Sequence, residues 1–187
     1  PFTTIRDSVR LEARLADALG IGAWHAVLGG SMGGARALEW AACHPERVRH
    51  CLVIAATAAA SAEQIAFGQA QSAAIRLDPG FRGGDYYADG GFPDAGLALA
   101  RRIAHITYRA EPELDLRFGN RAQGAEDPYG SATRDRGRFQ IESYLDHQAD
   151  KLVGRFDANA YLVLNDALVG HDVGRGRGGV EAALAGL

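Results

Sequence analysis

No stretch of this sequence reaches the roughly 18 consecutive apolar residues of a membrane-spanning helix, and no signal-peptide pattern is present. Neither a transmembrane segment nor export is expected, and the reading is a cytoplasmic protein. Cysteine is scarce. Cys43 and Cys51 are the only two, both in apolar surroundings and without the spacing of metal ligands. That argues against a disulfide framework and a metal site, and both read as buried, reduced thiols. An excess of one charge is also missing: the net charge of −3 leaves no electrostatic footprint for nucleic acid or an anionic membrane surface. The initiating Met is missing too. The chain opens at Pro1, directly on a helix-start signal, which suggests further sequence upstream.

What is present is ordinary for a globular chain of 187 residues: 47% hydrophobic and 23% charged, enough to build one core. Thr4-Ile5-Arg6-Asp7 forms a capping box, followed by Leu11, Leu15 and Leu19 at helical spacing and by Gly20 as a stop. Ala23 to Leu28 is a compact apolar run, too short for a helix, that reads as a buried parallel strand. Residues 34–43 form a small-residue helix ended by His44-Pro45, and a second buried strand is expected at about Arg49 to Ala55. Helix, strand, turn, helix and strand in this order describe βαβ units with a parallel sheet. Two strands alone do not make a parallel sheet of usual size, so the remaining strands are expected in sequence outside these residues.

After about Ser61 the character changes. Helices are predicted over Ser61–Leu77, from an Asp94 N-cap to Tyr108, over Phe139–Leu152 and over Ala158–Val169. Loops are predicted at 78–80, at 83–93 and over Arg121–Arg136.

The sharpest motif is Gly29-Gly30-Ser31-Met32-Gly33-Gly34, a G-x-S-x-G between the first strand and the small-residue helix. In that context it reads as a nucleophile elbow of the α/β-hydrolase class. The tight turn forces Ser31 into a strained conformation that lifts its hydroxyl above the sheet edge. Gly29 and Gly33 are expected to be required because side chains there would collide with the neighbouring helix and strand. The N–H of Met32, at the helix N-terminus, is placed to stabilise an oxyanion. The phosphate-loop readings fail: G-x-G-x-x-G is broken by Ser31, and no Gly-Lys-Ser or Gly-Lys-Thr occurs.

A serine needs a base and a group to orient that base, in the chain order Ser, acid, His for this class. His44 and His50 sit at element boundaries and read as structural, while His105 and His147 fall on helices. His171, before Asp172, is the best in-chain base, but no strand precedes it. The acid and base are therefore expected beyond Leu187, and the 187 residues alone are expected to be inactive.

The elbow, with Ala35 and Leu38-Glu39-Trp40, resembles the homoserine O-acetyltransferase family. So do Thr4-Ile5-Arg6-Asp7 leading to Leu19-Gly20-Ile21, Leu99-Ala100-Arg101-Arg102 with Thr107-Tyr108-Arg109, and Glu142-Ser143-Tyr144-Leu145. Arg155-Phe156-Asp157-Ala158-Asn159 and the stretch from His171 to Gly178 extend the resemblance over nearly the whole chain.

The resemblance implies an α/β fold: a partial α/β-hydrolase core, residues 1–60, with an inserted all-helical lid at 61–170 and a return into the core at 171–187. It implies acetyl transfer from acetyl-CoA, as co-substrate rather than bound cofactor, to L-homoserine in methionine biosynthesis, through an acetyl-Ser31 intermediate. Arg101 is implied as the clamp on the substrate carboxylate, Tyr108 as a lining residue, and a homodimer through the lid helices; no metal is implied. Arg102 is the natural control for Arg101. The arginines of Gly174-Arg175-Gly176-Arg177 either meet the phosphates of CoA or belong to a solvated loop. The alternatives are transfer from succinyl-CoA or to serine, a plain serine esterase, or a non-catalytic helical dimerisation module.

Overall fold

The computed structural model describes residues 2–88, 90–130 and 136–187. Asp89 and residues 131–135, which fall in two of the predicted loops, lie outside it. Contacts divide the chain into two compact units, one of Pro1–Gly68 with Leu162–Leu187 and one of Gln69–Tyr161.

The first unit opens with α1 (Ile5–Ala18), whose capping box is formed as the sequence suggested: the Thr4 side chain accepts from the Asp7 N–H and Asp7 accepts from the Thr4 N–H. Strand β1 (Val27–Gly30), α2 (Met32–Cys43) and β2 (Cys51–Ile54) follow. The strands pair in parallel, with Val27 opposite Cys51 and Gly30 opposite Ile54, and a further parallel bridge joins Trp24 to Val48. β1 thus starts later than the apolar run and continues into the glycines, because Gly29 and Gly30 stay extended up to the turn. β2 ends at Ile54 because Ala55 turns to a positive φ of 49°.

Val9, Ala13 and Ala16 of α1 bury against Trp40 of α2, with Trp24 and Val27 packed beside them. The Trp24 and Trp40 rings meet edge to face at 6.2 Å, and the Trp40 indole N–H donates to Glu12 at 2.7 Å. This satisfies the one polar atom the indole brings into the core.

Two expectations need correction. The strands are not buried on both faces: Leu28 is 67% and Leu52 56% exposed, since the described sheet has two strands and α2 covers one side of them. For the same reason Cys51 on β2 is exposed. Cys43 is half-buried, its Sγ 3.5 Å from a Glu39 carboxylate oxygen, and neither thiol is bonded to another.

Both units take part of α3 (Ala62–Arg76) and of α7 (Ala158–Val169). The second unit holds α4 (Asp94–Thr107), α5 (Glu111–Arg117) and α6 (Gln140–Val153), with α4 packed along α6. Asp94 is the first residue of α4 rather than its cap, which is Pro93 without a side-chain bond. The short α5 was not anticipated, nor was α8 (Val180–Leu184) near the end of the first unit. Among the described residues no helix is long and apolar enough to cross a membrane.

A buried ionic knot ties α1, α2 and the 173–179 loop together. Glu39, 2% exposed, accepts from Arg6 at 3.2 and 3.3 Å and from Arg177 at 2.9 Å. Arg177 also donates to the Val173 carbonyl. Arg177 is therefore a structural anchor, while Arg175 stays exposed. Burial pushes the Glu39 carboxyl up, but the bonds from Arg177 and Arg6 outweigh it and hold it below its ordinary 4.5. A depressed folded-state value means this contribution is complete above pH 4.5 and lost as pH falls through the folded value. Glu39→Ala leaves two arginines without their carboxylate and is expected to cost about 3–5 kcal/mol, read as a lower urea midpoint at unchanged slope.

Candidate active site

The elbow is a consequence of how closely the backbone folds on itself. A Cβ on Gly29 would lie 2.2 Å from the Gly33 carbonyl, and one on Gly34 would lie 2.7 Å from the Ala56 Cβ. Gly33 differs from expectation: a Cβ there meets nothing within 4 Å, because Gly33 contributes its backbone to the collision rather than needing the space itself. The glycines that the turn demands are 29 and 34.

Between them Ser31 adopts φ 53°, ψ −125°, a region that non-glycine residues rarely occupy. The conformation is held from both sides. Ser31 N–H donates to the Ile54 carbonyl at 2.9 Å, and the Ser31 carbonyl accepts from the N–H groups of Gly34 and Ala35 at 2.8 and 3.1 Å. The Ser31 side chain makes no cap bond and the residue is exposed. Met32 opens α2, so its N–H has no intrahelical carbonyl and lies at the positive end of the helix. The arrangement provides a free hydroxyl next to a free backbone donor, which is the minimum for nucleophilic attack on a carbonyl carbon.

Ser31 borders a cavity of about 40 Å³ whose wall includes Ala35, Thr57, Gln64, Leu168 and His171. A larger apolar cavity of about 380 Å³, between Leu15, Trp24, Leu28 and Trp40, holds no nucleophile. His171 follows α7 on a segment that bridges back to the residues after β2: the Ala60 N–H donates to its carbonyl, and the Val173 N–H donates to that of Ala58. Its ring is 6% exposed and its Nε2 has no partner. Burial pushes its pKa below 6.5 despite the pull of Glu39 and Asp172 the other way. The sequence singled out His171 but discounted it for want of a preceding strand; the fold reaches it through a helix and an isolated bridge instead.

In the second unit Arg101 lies within α4 and Tyr108 at its C-terminal cap. The Arg101 guanidinium carbon is 5.8 Å from the centre of the Tyr108 ring, seven residues and two turns on along one face. Arg101 Nε is buried and has no partner, whereas Tyr108 is 61% exposed. Tyr161, whose hydroxyl donates to Gln71 at 2.6 Å, is pushed up to about 12 by burial and by Tyr108, against the opposing effect of Arg101. Arg102 turns away to pair with Asp146 at 2.8 and 3.2 Å. Ser31, Met32 and His171 thus belong to one unit, and Arg101 and Tyr108 to the other. Among the described residues no three His, Cys, Asp or Glu side chains gather as a metal site.

A family model for the alpha/beta hydrolase fold matches residues 1–174. The chain belongs to the α/β-hydrolase fold family. Within it, the chain is 58% identical over 185 residues to a homoserine O-acetyltransferase of Thermobifida fusca, covering 98% of this chain and 48% of that relative. Among solved structures it is similar to homoserine O-acetyltransferase from Bacillus anthracis (TM-score 0.84, 27% identity, 99% of this chain and 48% of that one). It is also similar to esterase E22 (TM-score 0.83, 26% identity, 99% and 50%). The chain spans about half the length of the curated relatives it matches. The strained Ser31 stands between a strand and a helix, where the G-x-S-x-G pattern of this fold places its sharp turn.

Two outcomes follow for this hydrolase unit. Gly29→Ala is expected to destabilise it by about 3 kcal/mol or more, while Gly33→Ala stays within about 1 kcal/mol of the parent by urea denaturation. Because the folded-state pKa of His171 is depressed, the unfolded chain binds its proton first. Stability is therefore expected to decline as pH falls below 6.5, and His171→Leu flattens that slope in unfolding measured across pH.

Proposed function

We propose that the chain carries the nucleophile and the substrate-reading helices of an acyltransferase that moves an acetyl group from acetyl-CoA to the hydroxyl of L-homoserine, a step of methionine biosynthesis. The observation that carries the proposal is Ser31, strained, exposed and beside the Met32 N–H, in a chain 58% identical to a relative named homoserine O-acetyltransferase.

The chemistry runs in two halves. Ser31 Oγ gives its proton to a base and attacks the thioester carbon. The oxyanion accepts from the Met32 N–H, a kind of contact worth about 2.7–4 kcal/mol. The carbon–sulfur bond then breaks and CoA leaves as the thiol. Homoserine's hydroxyl attacks the acetyl ester of Ser31, its proton passes to the base, and the serine is restored. On this reading the base and its orienting acid belong to the part of the relatives' length that the chain does not span. His171 is the in-chain alternative. Arg101 clamps the acceptor's carboxylate with two parallel N–H bonds, for which its unpartnered Nε is suited, and Tyr108 lines the same path. Helices over 61–170 act as a lid that keeps water from the acyl ester and form a homodimer, and the protein is cytoplasmic.

A plain esterase is the second reading, favoured by the similarity to esterase E22. The test gives the full-length protein acetyl-CoA or succinyl-CoA with homoserine or serine and follows free thiol. Release of CoA with acetyl-CoA and homoserine, reduced at least about 10³-fold by Ser31→Ala, supports the transferase. Hydrolysis of simple esters with no CoA release from any pairing supports the esterase. Arg101→Ala is expected to raise KM for the acceptor about 10- to 100-fold, whereas Arg102→Ala leaves it unchanged.

A further inference from the structure

Between Arg101 and Tyr108 on α4 lies His105, four residues after the first and three before the second, so all three share one face. His105 is 8% exposed, and its Nδ1 is 2.9 Å from the Tyr144 hydroxyl on α6. Its ring stands 5.4 Å from that of Tyr108 and 5.6 Å from that of Tyr144. Tyr144 is braced in turn: the Phe118 ring is 5.1 Å from it and the Arg117 guanidinium 5.0 Å. Contacts therefore run unbroken from Arg117 and Phe118 through Tyr144, His105 and Tyr108 to Arg101.

We infer that His105, held by Tyr144, is a positioning residue that sets Tyr108, and through it Arg101, for the carboxylate of the amino-acid acceptor. The inference rests on the reading of Arg101 given above. An arginine side chain has much rotamer freedom to lose when it binds, and a stacked tyrosine that is itself fixed removes part of that loss in advance. Burial, with Arg101 and Arg109 nearby, pushes the His105 imidazole below its ordinary 6.5, which disfavours a second charge beside the guanidinium. His105 belongs to the second unit and the elbow to the first, and its effect is expected on acceptor binding rather than on acylation.

The test uses the full-length protein and separates the half-reactions: CoA release from acetyl-CoA without acceptor, and KM for homoserine in the complete reaction. Tyr144→Phe removes one hydroxyl and keeps the ring. It is expected to raise the homoserine KM about 5- to 20-fold while CoA release in the first half-reaction stays within about twofold. His105→Leu does the same. His105→Asn, which returns a hydrogen-bonding atom near the place of Nδ1, restores KM to within about twofold of the parent. An unchanged KM in Tyr144→Phe, a parallel loss in both half-reactions, or no rescue by His105→Asn overturns the inference. An Arg101→Ala arm separates the failures. If it raises KM while Tyr144→Phe does not, only the positioning role fails; if it leaves KM unchanged, the reading of Arg101 fails as well.

Discussion

The close approach of two backbone segments, Gly29 at the end of β1 and Gly33 in the first turn of α2, governs everything proposed for the first unit. The separation leaves no room for a Cβ on Gly29, so the chain can turn from strand to helix within one residue. Ser31 absorbs the turn by taking a positive φ, and neighbouring bonds to Ile54, Gly34 and Ala35 offset the cost of that conformation. The same turn leaves the Ser31 side chain without a cap bond and opens α2 at the next residue, Met32, whose N–H has no intrahelical carbonyl. Strain, exposure and a free backbone donor are three consequences of one steric fact.

That turn has to be held still, and the residues behind it show how. α2 is anchored by Trp40, which fills the core against α1, and by Glu39, which gathers Arg6 and Arg177 at its buried carboxylate. Glu39 and Trp40 lie two turns below the elbow, on the side of the helix away from solvent. A buried ion pair of this kind contributes less through net energy than through the penalty on any arrangement that separates its members. It commits the 173–179 loop, and with it the segment bearing His171, to one place beside α2.

The fold family hosts both acyl transfer and ester hydrolysis, and the two share the serine, the oxyanion donor and the covalent intermediate. What divides them is which hydroxyl reaches the acyl ester. A transferase must recognise its acceptor and hold water off, so discrimination belongs to side chains that read an amino acid rather than to the elbow. Arg101, with a buried Nε that lacks a partner, has the chemistry for that; Arg102, occupied by Asp146, does not.

Local rules were enough to place the first helix and its capping box, the elbow, the helix after it, and most of the long helices that follow. Each depends on residues a few positions apart: Thr4 with Asp7, Gly29 with Ser31, Leu11 with Leu15. The same locality explains the errors. Which of Gly33 and Gly34 needs to be glycine depends on Ala56, and the exposure of Cys51, Leu28 and Leu52 depends on what else covers the sheet. The position of His171 beside the Ser31 cavity depends on a bridge between residues 59 and 172, and the fixing of His105 on Tyr144, thirty-nine positions away. Periodicity and turn chemistry are written into adjacent residues, but a contact between distant ones exists only once the chain has folded. Hence the turn at Ser31 could be read from the sequence, whereas the residues that wall its cavity, Thr57, Gln64 and Leu168 among them, had to be found in space.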